Sequence, residues 1–246
     1  MVSTGLSPTV MKSQALLILF AASSVLAQGT FQNLDFEQAV VPIVLPVQAV
    51  WPIPLTNTLP EWTGYFATNG TASGSYNAIS LGSANIGLID GHTSLYSNSV
   101  IEGYFTALLQ AGSLNPPLQF GSAGIGQTGL IPSAARSLLF DVSMLEGFIS
   151  NFCVTVGGQS MRFTQVSAGA NFQTYGVDIS SFAGQTEELR FTAQPGLGLP
   201  DPYTGVFLDN IQFSDMAIPE PSVVTLSALG TLLLTWRFLH QTPSST

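Results

Sequence analysis

Charge is scarce in this sequence: Asp, Glu, Lys and Arg make up 8% of the 246 residues, against about a quarter in ordinary soluble chains. Bases are scarcest. Between residues 28 and 215 only Arg136, Arg162 and Arg190 are basic, against 13 Asp and Glu, a balance of about −10. A field of that sign repels phosphate backbones and excludes nucleic acid as a partner. No lysine follows Lys12, so Schiff-base chemistry has no amine once an N-terminal segment is removed. Cys153 is the sole cysteine, which rules out an internal disulfide; its apolar setting in Phe152-Cys153-Val154 reads as a buried, inert thiol. Away from the C-terminal tail His92 is the only histidine, so a His/Cys zinc site lacks ligands. A Ser-His-Asp triad would have to use His92, and no Gly-x-Ser-x-Gly elbow accompanies it. The Gly121–Gly126 run has no following Lys-Ser/Thr and reads as a turn or strand, not a phosphate cradle.

What is present is strand-like. Gly, Ser, Thr, Asn and Gln supply the polarity, and short β-rich runs alternate with turns over residues 28–215. The runs Phe31–Glu37, Ala78–Leu81, Gly103–Leu109, Ser137–Met144, Phe172–Ile179, Glu188–Thr192 and Gly205–Phe213 read as strands. Asn151–Val156, Gly157-Gly158 and Gln159–Thr164 read as a hairpin whose glycines supply positive φ. Residues 40–62 carry Pro42, Pro46, Pro52, Pro54 and Pro60 among apolar residues. That pattern predicts a long irregular segment packed over the sheets. The body has no sustained 3.6-residue period, so the expected fold is all-β: a single β-sandwich of jelly-roll type.

Both ends read as addresses. Lys12, the apolar run Ala15–Ala22 and small residues at Val25 and Ala27 describe a signal peptide over 1–27, an N-terminal signal helix cut by signal peptidase between Ala27 and Gln28. At the other end Pro219-Glu220-Pro221 precedes an uncharged run, Val223–Trp236, then Arg237. A short C-terminal hydrophobic helix over 223–239 is a marginal membrane span. Segment 216–246 resembles the PEP-CTERM sorting signal of exopolysaccharide-producing bacteria, with Pro219, Glu220, Pro221 and Arg237 as its motif residues. The resemblance implies an exosortase-type membrane processing enzyme as partner. The implied location is secreted or cell-surface, with transient inner-membrane anchoring.

Three further stretches, Phe31–Glu37, Gly176–Phe191 and Leu208–Ile211, resemble the opening strand, a late turn and the closing strand of galactose-binding-like jelly rolls. Many carbohydrate-binding modules share that architecture. The resemblance implies a structural Ca²⁺ tying the first strand to the last, with Glu37 and Asp209 at the matching places; hard carboxylate oxygens suit that ion. Sugar contact would call on aromatic faces, with Trp51, Trp62, Tyr65 and Tyr96 as the candidate ligand residues. The expected function is a non-catalytic surface or matrix module contacting glycan or exopolysaccharide. The alternative is a secreted polysaccharide hydrolase or lyase using two carboxylates drawn from Asp35, Glu37, Glu61, Asp90, Glu102, Asp141, Glu146 and Asp209.

Overall fold

The computed structural model describes residues 29–41, 49–92, 97–115, 119–196 and 203–218. In chain order the strands are β1 (Val50–Pro54), β2 (Thr63–Phe66), β3 (Asn69–Thr71), β4 (Ser73–Tyr76), β5 (Asn85–Asp90), β6 (Phe105–Asn115), β7 (Gln119–Gly121) and β8 (Ala123–Leu130). There follow β9 (Ser137–Glu146), β10 (Phe152–Val156), β11 (Gln159–Met161), β12 (Phe163–Ala168), β13 (Gln173–Asp178), β14 (Thr186–Ala193) and β15 (Thr204–Ser214). A larger sheet runs β1-β4-β5-β6-β15-β9-β13-β12, with β7 attached to β6; a smaller one runs β11-β10-β14-β8-β2-β3. Neighbours pair antiparallel except β4 with β5. The all-β, two-sheet sandwich expected from the alternating pattern is the observed architecture.

Alternation builds the core between the sheets. In β9, Leu138, Phe140 and Val142 are fully buried in it; in β10, Phe152, Val154 and Val156 are, while Cys153 and Thr155 between them are only half-buried. Period-2 side-chain placement sends each set to one face. Phe140 is the hub of an aromatic cluster, with ring centroids 5.3 Å from Phe191, 5.9 Å from Phe163 and 6.1 Å from Phe152 and Tyr175. Cys153 is therefore half-buried rather than enclosed, with Sγ 3.6 Å from Ser160 Oγ.

Several local expectations need correction. Phe31–Glu37 forms turns, not a strand: Asn33 and Phe36 have φ of 51° and 59°, and the Phe36 amide closes a turn onto the Asn33 carbonyl. Its aromatic residues still enter the core, which is what the strand-like pattern was registering. Ala78–Leu81 is likewise irregular. Within 40–62 the reverse happened, because Val50–Pro54 is a strand and Leu55–Thr58 a single helical turn, α1. β1 ends the larger sheet, the edge position where strand prolines such as Pro52 and Pro54 are tolerated. Residues 42–48 lie outside the described residues.

The membrane-directed readings are also corrected. A spanning helix needs about 20 apolar residues; α1 has four residues in all. Among the described residues the other helical turns are three-residue 3₁₀ pieces, and no helix is long and apolar enough to cross a membrane. The N-terminal signal helix with its Ala27–Gln28 cut, the sorting motif Pro219, Glu220, Pro221 and Arg237, and the hydrophobic helix 223–239 all fall outside the described residues. Exosortase sorting, signal-peptidase processing and transient inner-membrane anchoring therefore have no helix among the described residues to support them.

Candidate functional site

A bulge in β15 creates the site. Asp209 is paired with Asp141, but the next partner of β9's Leu139 is Gln212, so Asn210 and Ile211 together face Phe140. Asn210 takes a φ of 50°, a left-handed conformation that Asn tolerates better than other side chains. One strand period is skipped, which keeps Leu208 and Ile211 in the core and leaves Asp209, Asn210 and Gln212 on the outer side. The Ile211 N–H freed by the bulge bonds the Leu34 carbonyl at 3.0 Å. The turn segment at residues 31–37 is thereby fixed against the bulge.

Two hollows open on that outer side and share Glu102 and Asn210 as walls. The smaller, about 230 Å³, is lined by Asp35, Glu37, Glu102, Gly103, Asp209 and Asn210. The larger, about 310 Å³, adds Asp141, Gln212, Thr174 and Ser167 from the adjoining strands, with Phe172 at its side. Together they form a polar trough across β15, β9, β13 and β12. Its amides are ordered: Asn210 Nδ2 donates to Asp141 Oδ2 at 3.0 Å, and the Gln212 amide donates to Asn210 Oδ1.

The acidic end is held by backbone donors. Glu37 Oε1 accepts the N–H groups of Tyr104 and Phe105 at 2.8 and 2.9 Å. Gly103, at φ 62°, permits this approach, since a Cβ there would lie 2.2 Å from the same oxygen. Asp209 is 1% exposed. Its Oδ2 accepts the Thr106 hydroxyl at 2.6 Å and the Glu102 N–H at 3.3 Å, and its Oδ1 accepts the Asn210 N–H at 2.8 Å. Burial nevertheless pushes its pKa up to about 7; those hydrogen bonds oppose the rise and the nearby charge of Glu37 adds to it.

The predicted site residues scatter. Glu37 and Asp209 meet on one hollow. Trp51 is 58% exposed on edge strand β1. Trp62 is 5% exposed, ring-packed against Phe36 and Phe191, with Nε1 donating to the Asn33 carbonyl, so no face is open to a ligand. Tyr65 lies on the smaller sheet, its ring beneath the Arg190 guanidinium at 3.8 Å and its hydroxyl bonded to Glu188 Oε1. Tyr96 is outside the described residues. His92 pairs through Nδ1 with Asp90 Oδ1 at 2.7 Å and stacks on Tyr104 with centroids 4.2 Å apart. Sequence reasoning missed Asn210, Gln212, Thr174 and Phe172, none of which carries a motif.

No family model matches the chain, and no curated protein does. It is similar to solved structures of low identity. One is the carbohydrate-binding module TmCBM61 in complex with β-1,4-galactotriose: 9% identity, 76% of this chain and 99% of that one covered, TM-score 0.40. Another is a family 11 carbohydrate-binding module from Clostridium thermocellum with a mixed-linked β-1,3-1,4 tetrasaccharide: 10% identity, 66% and 93% covered, TM-score 0.34. A third is the secreted serine protease VesC from Vibrio cholerae: 12% identity, 70% and 44% covered, TM-score 0.28. Alignments this loose carry no argument about what this chain binds, and the trough must be judged on its own chemistry.

That chemistry favours holding over cutting. A carboxyl poised near neutrality beside a second carboxylate could serve as a general acid, but both oxygens of Asp209 already accept protein donors and the residue is only 1% exposed. Among the described residues no three His, Cys, Asp or Glu side chains are grouped to hold a metal ion. Glu37 and Asp209 offer the hard oxygens Ca²⁺ prefers, and Asp209 Oδ1, which accepts only the Asn210 N–H, keeps a lone pair beyond its protein donor.

Proposed function

We propose that this chain is a non-enzymatic, glycan-binding β-sandwich whose trough on the outer face of the larger sheet takes a neutral saccharide. The observation that carries it is the trough's lining: side-chain amides of Asn210 and Gln212, hydroxyls of Ser167 and Thr174, carboxylates of Glu102 and Asp141, and the Phe172 ring beside them. Sugar hydroxyls both donate and accept, and this set offers donors and acceptors at close spacing with one apolar surface. Ordered side chains reduce the cost of binding, because the Asn210–Asp141 and Gln212–Asn210 bonds already fix the amides. The acidic surroundings disfavour uronic-acid polymers.

The test is a screen of neutral and acidic polysaccharides with the full chain, reading retention and reducing ends together. Retention on a neutral polymer without new reducing ends or unsaturated products is expected. Turnover that disappears on substitution of Glu102 or Asp141 would overturn the non-enzymatic reading.

We further propose that Glu37 and Asp209 hold Ca²⁺ at the acidic end. The reading is supported by their shared hollow and by the poorly solvated charge of Asp209, which a cation would compensate. Other ligands would be backbone carbonyls and water.

A further inference from the structure

A separate pocket of about 320 Å³ lies at the edge of the larger sheet, between β1 and the loop at residues 78–84, lined by Trp51, Ile79, Ser80, Ser83 and Asn85 among others. We infer that this pocket is a second saccharide site, in which one pyranose ring stacks on Trp51 and a ring hydroxyl donates to Asn85 Oδ1. The inference takes its ligand class from the glycan-binding reading but places it on different residues.

The decisive atom is Asn85 Oδ1. Asn85 is 3% exposed, and Oδ1 is buried with no hydrogen-bond partner. Its orientation is fixed by what lies on the other side. Asn85 Nδ2 donates to the Ala78 carbonyl at 3.0 Å and faces Gln110 Oε1 at 3.4 Å. Gln110 cannot turn over, because its Oε1 accepts the Ser80 N–H at 2.8 Å while its Nε2 donates to the Ser80 carbonyl at 3.2 Å. Flipping either amide would oppose like groups. Oδ1 is therefore the acceptor left over, and a buried acceptor left unpaired is destabilising. Because the atom is closed to solvent, an occupant reaches it only when the wall gives slightly.

The rest of the pocket selects the ligand. The exposed indole of Trp51 offers a flat apolar face, Ser80 and Ser83 bring hydroxyls, and no charged residue lines the space. A neutral ring with one apolar face and donor hydroxyls fits these groups. The volume, near the low end of the roughly 300–1,000 Å³ range for small-molecule sites, suits one ring rather than a chain.

The experiment titrates the full chain with the methyl glycosides of glucose, galactose and mannose, reading tryptophan fluorescence and, in parallel, calorimetric heat. At least one glycoside is expected to give a saturable fluorescence change. Asn85→Leu should abolish that change with Trp51 still in place, and Trp51→Ala, at a position 58% exposed, should weaken the calorimetric affinity about tenfold or more. Gln212→Ala, in the trough, should leave the fluorescence change intact. No saturable change with any glycoside overturns the inference, as does a change that survives Asn85→Leu. A change lost only in Gln212→Ala overturns it too, while assigning the sugar to the trough. Failure of this site and failure of the trough are thus read separately.

Discussion

At the scale of single residues, Asp209 ties pH to stability. Its folded pKa, about 7, lies above the roughly 3.9 of an unfolded Asp. Between those values the folded chain binds a proton that the unfolded chain does not. The group thus favours folding at low pH, and that advantage fades as pH rises through 7. Thermal melts of the wild-type chain should show stability falling from pH 5 to pH 8, with Asp209→Asn flattening that segment. A shift of this size corresponds to on the order of 4 kcal/mol at most. The same charge is what calcium would compensate. Calorimetric titration with CaCl₂ at pH 8 should give saturable heat and a higher melting temperature, both lost in Asp209→Asn; absence of heat at pH 8 would count against a bound cation. That Glu37 and Asp209 line one hollow was suggested by the resemblance of two short stretches to jelly rolls, not by any local pattern. What burial does to Asp209 was not legible, because it depends on Glu102 and Thr106, more than a hundred residues away in sequence, closing around it.

At the scale of elements, the β15 bulge and the aromatic core make different predictions. Asn210→Gly retains the positive φ and should change stability by less than about 1 kcal/mol, while removing the amide bonded to Asp141 and weakening saccharide binding. Asn210→Val places a β-branched residue in the left-handed region and should cost about 1–2 kcal/mol or more. Denaturant unfolding of both variants checks the contrast. Phe140→Ala, at the hub of the cluster, should cost about 3–5 kcal/mol by the same measurement. The strands that alternate cleanly, such as Ser137–Met144 and the Gly157-Gly158 hairpin, could be read from sequence because one face of each is buried. Phe31–Glu37 could not. Its apolar spacing mimics a strand, while its turns are held by the Phe36–Asn33 bond, by Asn33 Oδ1 accepting the Gln38 N–H and by the Leu34 carbonyl's bond to the bulged Ile211. The bulge itself leaves no pattern in Leu208-Asp209-Asn210-Ile211, since nothing local distinguishes an Asn at positive φ from one in an ordinary strand.

At the scale of the whole molecule, a sequence pI near 4.3 and the scarcity of bases set the class of partner. An acidic sandwich should be retained by neutral polysaccharides and pass unretarded over sulfated or uronic-acid polymers at low ionic strength, where repulsion is least screened. Retention on the acidic polymers at low salt would contradict that. The sandwich was legible in the sequence because sheet faces repeat with period 2. The trough was not, because its walls come from β9, β12, β13 and β15, which become neighbours only when the larger sheet forms. The most direct test of the trough is calorimetric titration with the neutral oligosaccharide that the polysaccharide screen selects, comparing the wild-type chain with the Thr174→Ala/Gln212→Ala double variant. The affinity of the variant should fall about fivefold to a hundredfold, as expected for two lost hydrogen bonds of about 0.5–1.5 kcal/mol each, with its melting temperature unchanged. Equal affinity in the two proteins would place the glycan elsewhere and contradict the account.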